Sequence, residues 1–190
     1  QPLSSLVRDV NKFSNNVMAK MLFLNIGAAR YGAPANWDKG MRAIQDWLAE
    51  KDLVSSEIVL ENGSGLSRIE RISAASLARL LTYAASRPAY YEFAASLPAI
   101  GLEGTQKYRL SGSPLTGRAW LKTGSLNGAR NLAGYVLGPD GRRRVMVMLI
   151  NHGNAGAAGK AQDALLEWAV SIPGSPVEGS RVPAKVEIKH

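Results

Sequence analysis

Three short apolar segments between residues 118 and 150 constrain the fold of this chain most strongly. They span 118–126, 131–137 and 144–150, and each has the length and side-chain pattern of a β-strand. The last two are separated by Gly138-Pro139-Asp140-Gly141, a strong turn signal. Strands this close along the chain predict an antiparallel sheet, because tight turns join only antiparallel neighbours.

Helical patterns surround these strands. Apolar residues recur at helical spacing over 3–13, 17–28 and 37–48, Ser73 is placed to cap a fourth helix, and Pro88 is expected to open a fifth. A short strand is predicted over 56–60, and an amphipathic helix over 159–170 closes the pattern. Helices followed by antiparallel strands and one further helix predict an α+β fold, with helices packed on an antiparallel sheet.

The composition limits the classes of protein and of site. The 190 residues predict one domain or the larger part of one, over 1–172, followed by a Pro-, Gly- and Ser-rich tail over 173–190. The absence of cysteine excludes a thiol nucleophile and disulfides, and two histidines leave no recognisable zinc site. No apolar run approaches the roughly 18 residues that cross a bilayer, so no transmembrane segment is predicted.

The net charge of +8 leaves two kinds of polyanion open as partners. A basic balance attracts nucleic acid or an anionic cell-envelope polymer. The only basic run, Arg142-Arg143-Arg144, directly follows the turn and is predicted to be a solvated hairpin tip. No nucleic-acid-binding motif accompanies it, so nucleic acid is not favoured.

Three polar clusters could support chemistry. They are Ser14-Asn15-Asn16, the loop of residues 61–68, and Lys122-Thr123-Gly124-Ser125. Alone, each has an ordinary interpretation, since Ser14 could cap a helix and Lys122 could snorkel from a strand. Taken in order, Ser-Xaa-Asn and Lys-Thr-Gly are two of the three motifs of serine enzymes that act on penicillin-like amides.

The residue types suit an acyl-transfer reaction. A serine hydroxyl beside an ammonium group can relay a proton to a leaving amine, and a side-chain amide can hold the substrate's peptide bond. A lysine on a strand supplies positive charge for a terminal carboxylate, and the adjacent threonine hydroxyl adds a hydrogen bond. A glycine leaves room for substrate along the strand edge.

Longer stretches carry a family resemblance. Residues 8–19, 62–67, 122–127, 133–136 and 150–152 closely resemble the penicillin-binding D-alanyl-D-alanine carboxypeptidases of the type-4, low-molecular-mass group. Glu61 departs from the aspartate that is more usual there and keeps its charge. The larger departure is that no serine of this chain has lysine three residues later, although the family's nucleophile lies in Ser-Xaa-Xaa-Lys. The chain therefore resembles the C-terminal portion of such an enzyme.

The resemblance implies a fold, a reaction and a location. The fold would be the C-terminal part of the β-lactamase/DD-peptidase (transpeptidase-like) fold. The parent enzyme would be a periplasmic serine DD-peptidase, a carboxypeptidase or endopeptidase that cleaves D-alanyl-D-alanine bonds of peptidoglycan stem peptides through an acyl-enzyme and binds β-lactams. It would release terminal D-alanine or cut D-alanyl cross-links. No metal or cofactor is implied.

The resemblance also assigns roles to individual residues. Ser14 would relay a proton and Asn16 would position the substrate amide. Lys122 and Thr123 would bind the terminal carboxylate, and the backbone N–H of Ser125 would be one oxyanion donor. Gly124 would line the substrate path, and Ser64 would line the site.

The same resemblance predicts a partner for the sheet. In the resembled fold, the third of these strands pairs with a strand from the N-terminal part of the enzyme. Residues 145–150 are six apolar residues in a row, as expected of a strand buried on both faces. Without that partner, the sheet is expected to present an open edge through which the chain could dimerise.

Two other function classes stay open, and a third constellation is not favoured. The first is a non-catalytic peptidoglycan-binding module, because the chain keeps the binding strand and lacks the nucleophile. The second is a basic polyanion-binding protein, which the net positive charge alone would explain. His152 with Asp140 or Asp163 could suggest a Ser-His-Asp triad. The sequence has no Gly-Xaa-Ser-Xaa-Gly elbow, so His152 is predicted to be structural.

Overall fold

The computed structural model describes residues 1–172, so the predicted tail lies outside the described residues. Two short 3₁₀ turns, Gly104–Gln106 and Ala155–Ala158, accompany the main elements. The helices are α1 (Leu3–Phe13), α2 (Asn16–Tyr31), α3 (Trp37–Glu50), α4 (Ala74–Ala85), α5 (Tyr90–Ser96) and α6 (Gly159–Ser171), and the strands are β1 (Ala119–Leu126), β2 (Ala129–Leu137) and β3 (Arg143–Asn151).

The strands form one antiparallel sheet in the order β1-β2-β3, which confirms the predicted α+β class. Helix α6 covers one face over a core that includes Leu121, Leu132 and Leu166. Helices α4 and α5 cover the other face, where Leu81 and Tyr135 are buried together. The Tyr135 hydroxyl donates to the backbone oxygen of Leu81 at 2.8 Å, so its polar end is satisfied inside the core.

The helix ends follow local side-chain chemistry. Ser73 caps α4 as predicted, since its Oγ accepts from the backbone N–H of Ser76 at 3.1 Å. Helix α5 begins at Tyr90 after Ala89, two residues beyond the proline that was expected to open it. In residues 1–172, no helix combines the length and the apolar character that a membrane span requires.

The predicted strand over 56–60 is wrong. Only Val59 pairs there, in an isolated bridge with Arg71, with both N–H···O distances close to 3 Å. The chain turns immediately after this residue, and Val54 and Val59 expose their side chains. The apolar residues of this segment therefore pair with no strand and pack on no apolar surface.

Two glycines set the distance between α2 and α3. A Cβ atom added to Gly27 would lie 2.4 Å from the backbone nitrogen of Gly40, and one added to Gly40 would lie 2.4 Å from the Phe23 ring. Real Cβ atoms do not approach backbone this closely, so the two helices touch through bare backbone. Phe23 is 2% exposed in this contact and also lies beneath Gly63, which joins the helix pair to the loop of residues 61–65.

We expect Gly27→Ala to destabilise the chain by about 1–3 kcal/mol, the usual cost of overpacking a close contact. The added methyl group would force α2 away from α3, because the atom it meets belongs to rigid backbone. Urea unfolding measures the change. Gly156→Ala is the matched control, since a Cβ there meets nothing within 4 Å. Equal stabilities for the two variants would contradict this packing.

Candidate active site

All seven residues that the sequence singled out line one cleft of about 1000 Å³ between the helices and β1. The cleft has polar groups at its β1 end and apolar side chains from α4 and α5 at the other, among them Leu77, Leu81 and Phe93. The predicted residues that line it are Ser14, Asn16, Ser64, Lys122, Thr123, Gly124 and Ser125.

Ser14 lies at the junction of α1 and α2 in a left-handed conformation, with φ of 54°. This is the C-cap position of α1, where its backbone N–H donates to Val10 O and a left-handed residue is a common way for a helix to end. The N-cap of α2 is its neighbour Asn15, whose Oδ1 accepts from the backbone N–H of Met18 at 3.1 Å. The Ser14 hydroxyl is therefore left to face the cleft.

The last turn of α1 is fastened to the segment after α5. Lys12 is 5% exposed; its ammonium donates to the backbone oxygen of Leu97 at 2.7 Å and pairs with Glu103. Asn11 donates to the Ser96 hydroxyl at 2.7 Å. These contacts fix the end of α1, and so the position of Ser14. The sequence motifs gave no signal for them, because both partners lie more than 80 residues away.

Lys122 and Ser14 are in direct contact although they lie 108 residues apart in the sequence. The Lys122 ammonium donates to Ser14 Oγ at 2.9 Å and to the Thr123 backbone oxygen at 2.6 Å. Within residues 1–172 Lys122 makes no ion pair, so its positive charge is not neutralised by a described carboxylate. Burial lowers the pKa of Lys122 below the ordinary lysine value.

The outer edge of β1 is covered along its first half and borders the cleft along its second. The Leu121 N–H donates to Pro98 O, and the Ile100 N–H donates to Ala119 O, each at 2.9 Å. Backbone groups of alternate residues point to the same edge of an antiparallel strand. The N–H and C=O groups of Thr123 and Ser125 therefore also point to this edge, on the cleft side.

Gly124 lies between these two residues with open space around it. A Cβ atom built on Gly124 would meet nothing within 4 Å. Packing inside the protein therefore does not require glycine at this position. The bare backbone keeps the cleft wall free for a ligand that lies along the strand.

The loop that contains Ser64 is organised by Glu70, which the sequence analysis did not single out. Glu70 Oε1 accepts from the backbone N–H groups of Glu61, Asn62 and Gly63 at 3.1, 2.9 and 3.0 Å. Ser64 donates its hydroxyl to Asn62 Oδ1 at 2.5 Å and so is engaged within its own loop. Ser64 lines the cleft, and within residues 1–172 no hydrogen bond joins it to Ser14 or Lys122.

The aspartates of the alternative triad are engaged elsewhere. Asp140 pairs with Arg144, and Asp163 accepts from Arg109 Nε at 2.7 Å. His152 is exposed, and its Nδ1 accepts from the backbone N–H of Asn154 at 3.0 Å. The described residues therefore form no Ser-His-Asp arrangement around His152. Nor do residues 1–172 bring three His, Cys, Asp or Glu side chains together in a group that could hold a metal ion.

The basic run after the turn is partly engaged rather than a wholly solvated tip. Arg144 donates to both carboxylate oxygens of Asp140 at 3.1 Å and to the backbone oxygen of Ile172 at 2.8 Å. The guanidinium of Arg143 lies 4.1 Å from the centre of the Tyr90 ring. Asp140, four residues before Arg144, could have been expected as a partner from the sequence. The contact of Arg143 with the Tyr90 ring could not, because these residues lie far apart in the chain.

The chain is similar to known proteins over most of its length. Residues 1–171 match the profile of the D-Ala-D-Ala carboxypeptidase 3 (S13) family. The chain is 35% identical to a D-alanyl-D-alanine carboxypeptidase of Actinomadura sp. (strain R39) over 95% of its own length and 34% of that protein. It is 31% identical to the D-alanyl-D-alanine carboxypeptidase DacB of Haemophilus influenzae over 80% of its length and 32% of that protein.

A solved structure shows the same fold. The penicillin-binding protein 4 (dacB) of Haemophilus influenzae, complexed with a β-lactam, superposes with a TM-score of 0.83 at 26% identity, covering 90% of this chain and 42% of that one. The resemblance predicted from the motifs is confirmed, as is the DD-peptidase-like fold. The chain spans about a third of the length of the curated relatives it matches.

The lowered pKa of Lys122 predicts a rise in stability at alkaline pH. Between the folded and the unfolded pKa of this group, the unfolded chain binds more protons, so the free energy of unfolding increases with pH. We expect Lys122→Met to lose this rise and to gain stability at neutral pH. Urea unfolding between pH 8 and pH 10.5 tests it, with the exposed Lys51→Met as control. Parallel curves for the wild type and Lys122→Met would contradict the prediction.

Proposed function

Because the chain belongs to the D-Ala-D-Ala carboxypeptidase 3 (S13) family, we propose that it forms the proton-relay and substrate-binding part of a serine DD-peptidase. Such an enzyme cleaves D-alanyl-D-alanine bonds of peptidoglycan stem peptides in the periplasm, and β-lactams acylate it. Two of the relatives named above are D-alanyl-D-alanine carboxypeptidases, and the solved structure is that of a penicillin-binding protein with a bound β-lactam. The seven cleft residues are proposed to bind the peptide.

The contact between Lys122 Nζ and Ser14 Oγ at 2.9 Å carries this proposal. An ammonium group can only donate, so the Ser14 oxygen accepts and its own proton is free to be donated. A serine in this state can protonate an amine that leaves on its other side. Neither a simple helix cap nor a snorkelling lysine would need the two side chains to meet.

The proton path follows from these donor and acceptor roles. The nucleophile of a Ser-Xaa-Xaa-Lys motif would add to the carbonyl carbon, forming a C–O bond while the C–N bond breaks. Its own proton passes to a neighbouring base. The Ser14 proton moves to the departing amine nitrogen, and Lys122 Nζ–H stabilises the Ser14 oxygen until the base returns the nucleophile's proton to it. Water then hydrolyses the acyl-enzyme.

Binding of the substrate would use the open half of the β1 edge. The terminal carboxylate would lie against the charge of Lys122 and the hydroxyl of Thr123. The Ser125 N–H, which points to this edge, would be one oxyanion donor, with the nucleophile's own N–H as the other. Asn16 would hold the substrate amide from the helix side of the cleft. Gly124 leaves the space that a peptide backbone would occupy.

A non-catalytic peptidoglycan-binding module would use the same cleft without the relay. The contact between Lys122 and Ser14 favours the catalytic role, because binding a carboxylate does not need it. The polyanion-binding alternative gains no support, since Arg143 and Arg144 are engaged with Tyr90 and Asp140.

The partner of β3 is a further part of the proposal. Within residues 1–172, the sheet ends at β3, with α4 against one of its faces. Backbone groups of Val145, Val147 and Leu149 alternate with those that pair with β2, so they point to the outer edge. We expect this edge to receive a strand from the N-terminal part of the enzyme, and a second copy of the chain in its place when that part is missing.

Ser14→Ala should slow acylation by roughly 10²–10⁴, the usual worth of a positioned proton relay. The test uses a joined enzyme, defined as one polypeptide that carries this chain together with a Ser-Xaa-Xaa-Lys segment of the family. Stopped-flow acylation by a fluorescent penicillin gives the rate. Ser111→Ala, on an exposed serine, is the matched control. Near-normal acylation of the Ser14 variant would place the relay elsewhere.

The 190-residue chain by itself should form no adduct with the same penicillin, because it has no Ser-Xaa-Xaa-Lys nucleophile. Mass spectrometry after incubation measures this. A stable adduct on any of its serines would identify a different nucleophile and overturn the assignment.

Because the outer edge of β3 has no strand partner in residues 1–172, we expect the 190-residue chain to dimerise or aggregate at high concentration. Val147→Pro should reduce this association, because proline removes an outward N–H and leaves the ladder with β2 intact. Met148→Pro, one residue along, should instead break that ladder and destabilise the chain. Light scattering over a concentration series measures the mass. A monomer at every concentration, with slow amide exchange over 145–150, would show that the edge is covered differently.

A further inference from the structure

A second cavity of about 310 Å³ lies behind Thr123, separate from the cleft in which substrate is proposed to bind. Its walls are polar, and Thr123 and Ser125 border both cavities. The side chain of Gln106 is buried in this wall, 5% exposed, and Gln106 Nε2 donates to Thr123 Oγ1 at 3.3 Å. Gln106 is therefore the buried side chain that contacts the carboxylate-binding hydroxyl from behind.

A row of contacts fixes which way the Gln106 amide faces. Asp163 is a carboxylate and accepts from Arg109 Nε at 2.7 Å. Arg109 has donors only, and its Nη1 donates to Gln106 Oε1 at 3.3 Å. The amide oxygen must then face Arg109, which leaves the amide nitrogen toward Thr123. Its second hydrogen is directed at the backbone oxygen of Thr105, 3.1 Å away.

The direction of this row determines what Thr123 can offer a ligand. A hydroxyl has one hydrogen to donate, and the oxygen of Thr123 already accepts from Gln106. The Thr123 proton is therefore free to turn toward the cleft. A carboxylate can only accept hydrogen bonds, so it needs a donor there.

We propose that Gln106 is a positioning residue that sets the polarity of Thr123, so that its hydroxyl donates to the terminal carboxylate of the peptide. The inference rests on the proposed function, because it assumes that a carboxylate binds at Thr123. Arg109 and Asp163 act one step behind, by holding the Gln106 amide in one orientation. Gln106 specifies a free carboxyl terminus and does not touch the substrate.

The test exchanges the polarity of residue 106 at constant shape. Gln106→Glu places a carboxylate oxygen against Thr123, so the Thr123 proton turns inward to it and away from the cleft. In the joined enzyme, kcat/KM is compared for a peptide ending in D-Ala-D-Ala and for the same peptide with a C-terminal amide. We expect the preference for the free carboxylate to fall by roughly 10- to 150-fold, the size of one lost hydrogen bond to a charged group.

A second variant separates polarity from charge. Gln106→Leu removes the donor without adding a negative charge, so the preference should fall less than in Gln106→Glu. In a Thr123→Val background, Gln106→Leu should leave the preference unchanged, because no hydroxyl remains to orient. Gln162→Leu is the matched control: Gln162 is a buried glutamine of the same cavity that bonds to Arg130 and accepts from Arg109 Nη2 at 3.4 Å, with no hydrogen bond to Thr123.

The outcomes distinguish this inference from the proposed function. A joined enzyme that cleaves neither peptide overturns the proposed function and the role of Gln106 with it. An active enzyme whose carboxylate preference is the same in the wild type, Gln106→Glu and Gln106→Leu overturns the role of Gln106 alone. A loss of rate on both peptides in equal proportion also overturns it, since a purely structural defect would have that effect.

Discussion

The meeting of Lys122 with Ser14 is the constraint on which the site depends. It joins the edge strand of the sheet to the junction of the first two helices, across most of the chain. Neither side chain reaches this position by local preference. The junction is held in a left-handed turn, and the preceding helix is fastened by the buried Lys12 to the Leu97 backbone and Glu103. The buried ion pair of Lys12 thus supports the placement of a second charge in the cleft, that of Lys122, which pairs with no carboxylate of residues 1–172.

Packing at small residues places the remaining wall of the cleft. Gly27 and Gly40 let α2 and α3 touch, and Phe23 fills the space between this pair and Gly63. The loop of residues 61–65 therefore rests on the same helix that begins at Asn16. Glu70 then gathers three backbone N–H groups of that loop, which gives it a fixed shape without a regular strand.

The sequence predicted the elements well and the supporting contacts poorly, for a physical reason. Helices and strands follow from short-range periodicity, and caps such as Ser73 follow from chemistry within three residues. The three motif clusters could be recognised because their residue types follow one another along the chain in the same order as in the resembled family. Lys12 and Gln106 were missed, because they act on partners 85 and 17 residues away that the fold brings near. Glu70 was missed because it binds backbone N–H groups, which every non-proline residue has and which therefore give no signal in the sequence. The strand expected over 56–60 failed for a related cause: an alternating pattern cannot form a strand without a neighbour to pair with.

The covered half of the β1 edge has a consequence for which peptides can enter. Residues 98–100 already occupy that edge as far as Leu121, with Pro98 O bound to its N–H. A guest strand can therefore lie beside Thr123 and Ser125, and one that ran on past Thr123 would collide with the protein's own chain. Residues 98–100 therefore close one end of the groove. If the proposed peptide binds along this edge, the backbone of residues 98–100 would favour a chain that ends beside Thr123 over one that continues, independently of any charge.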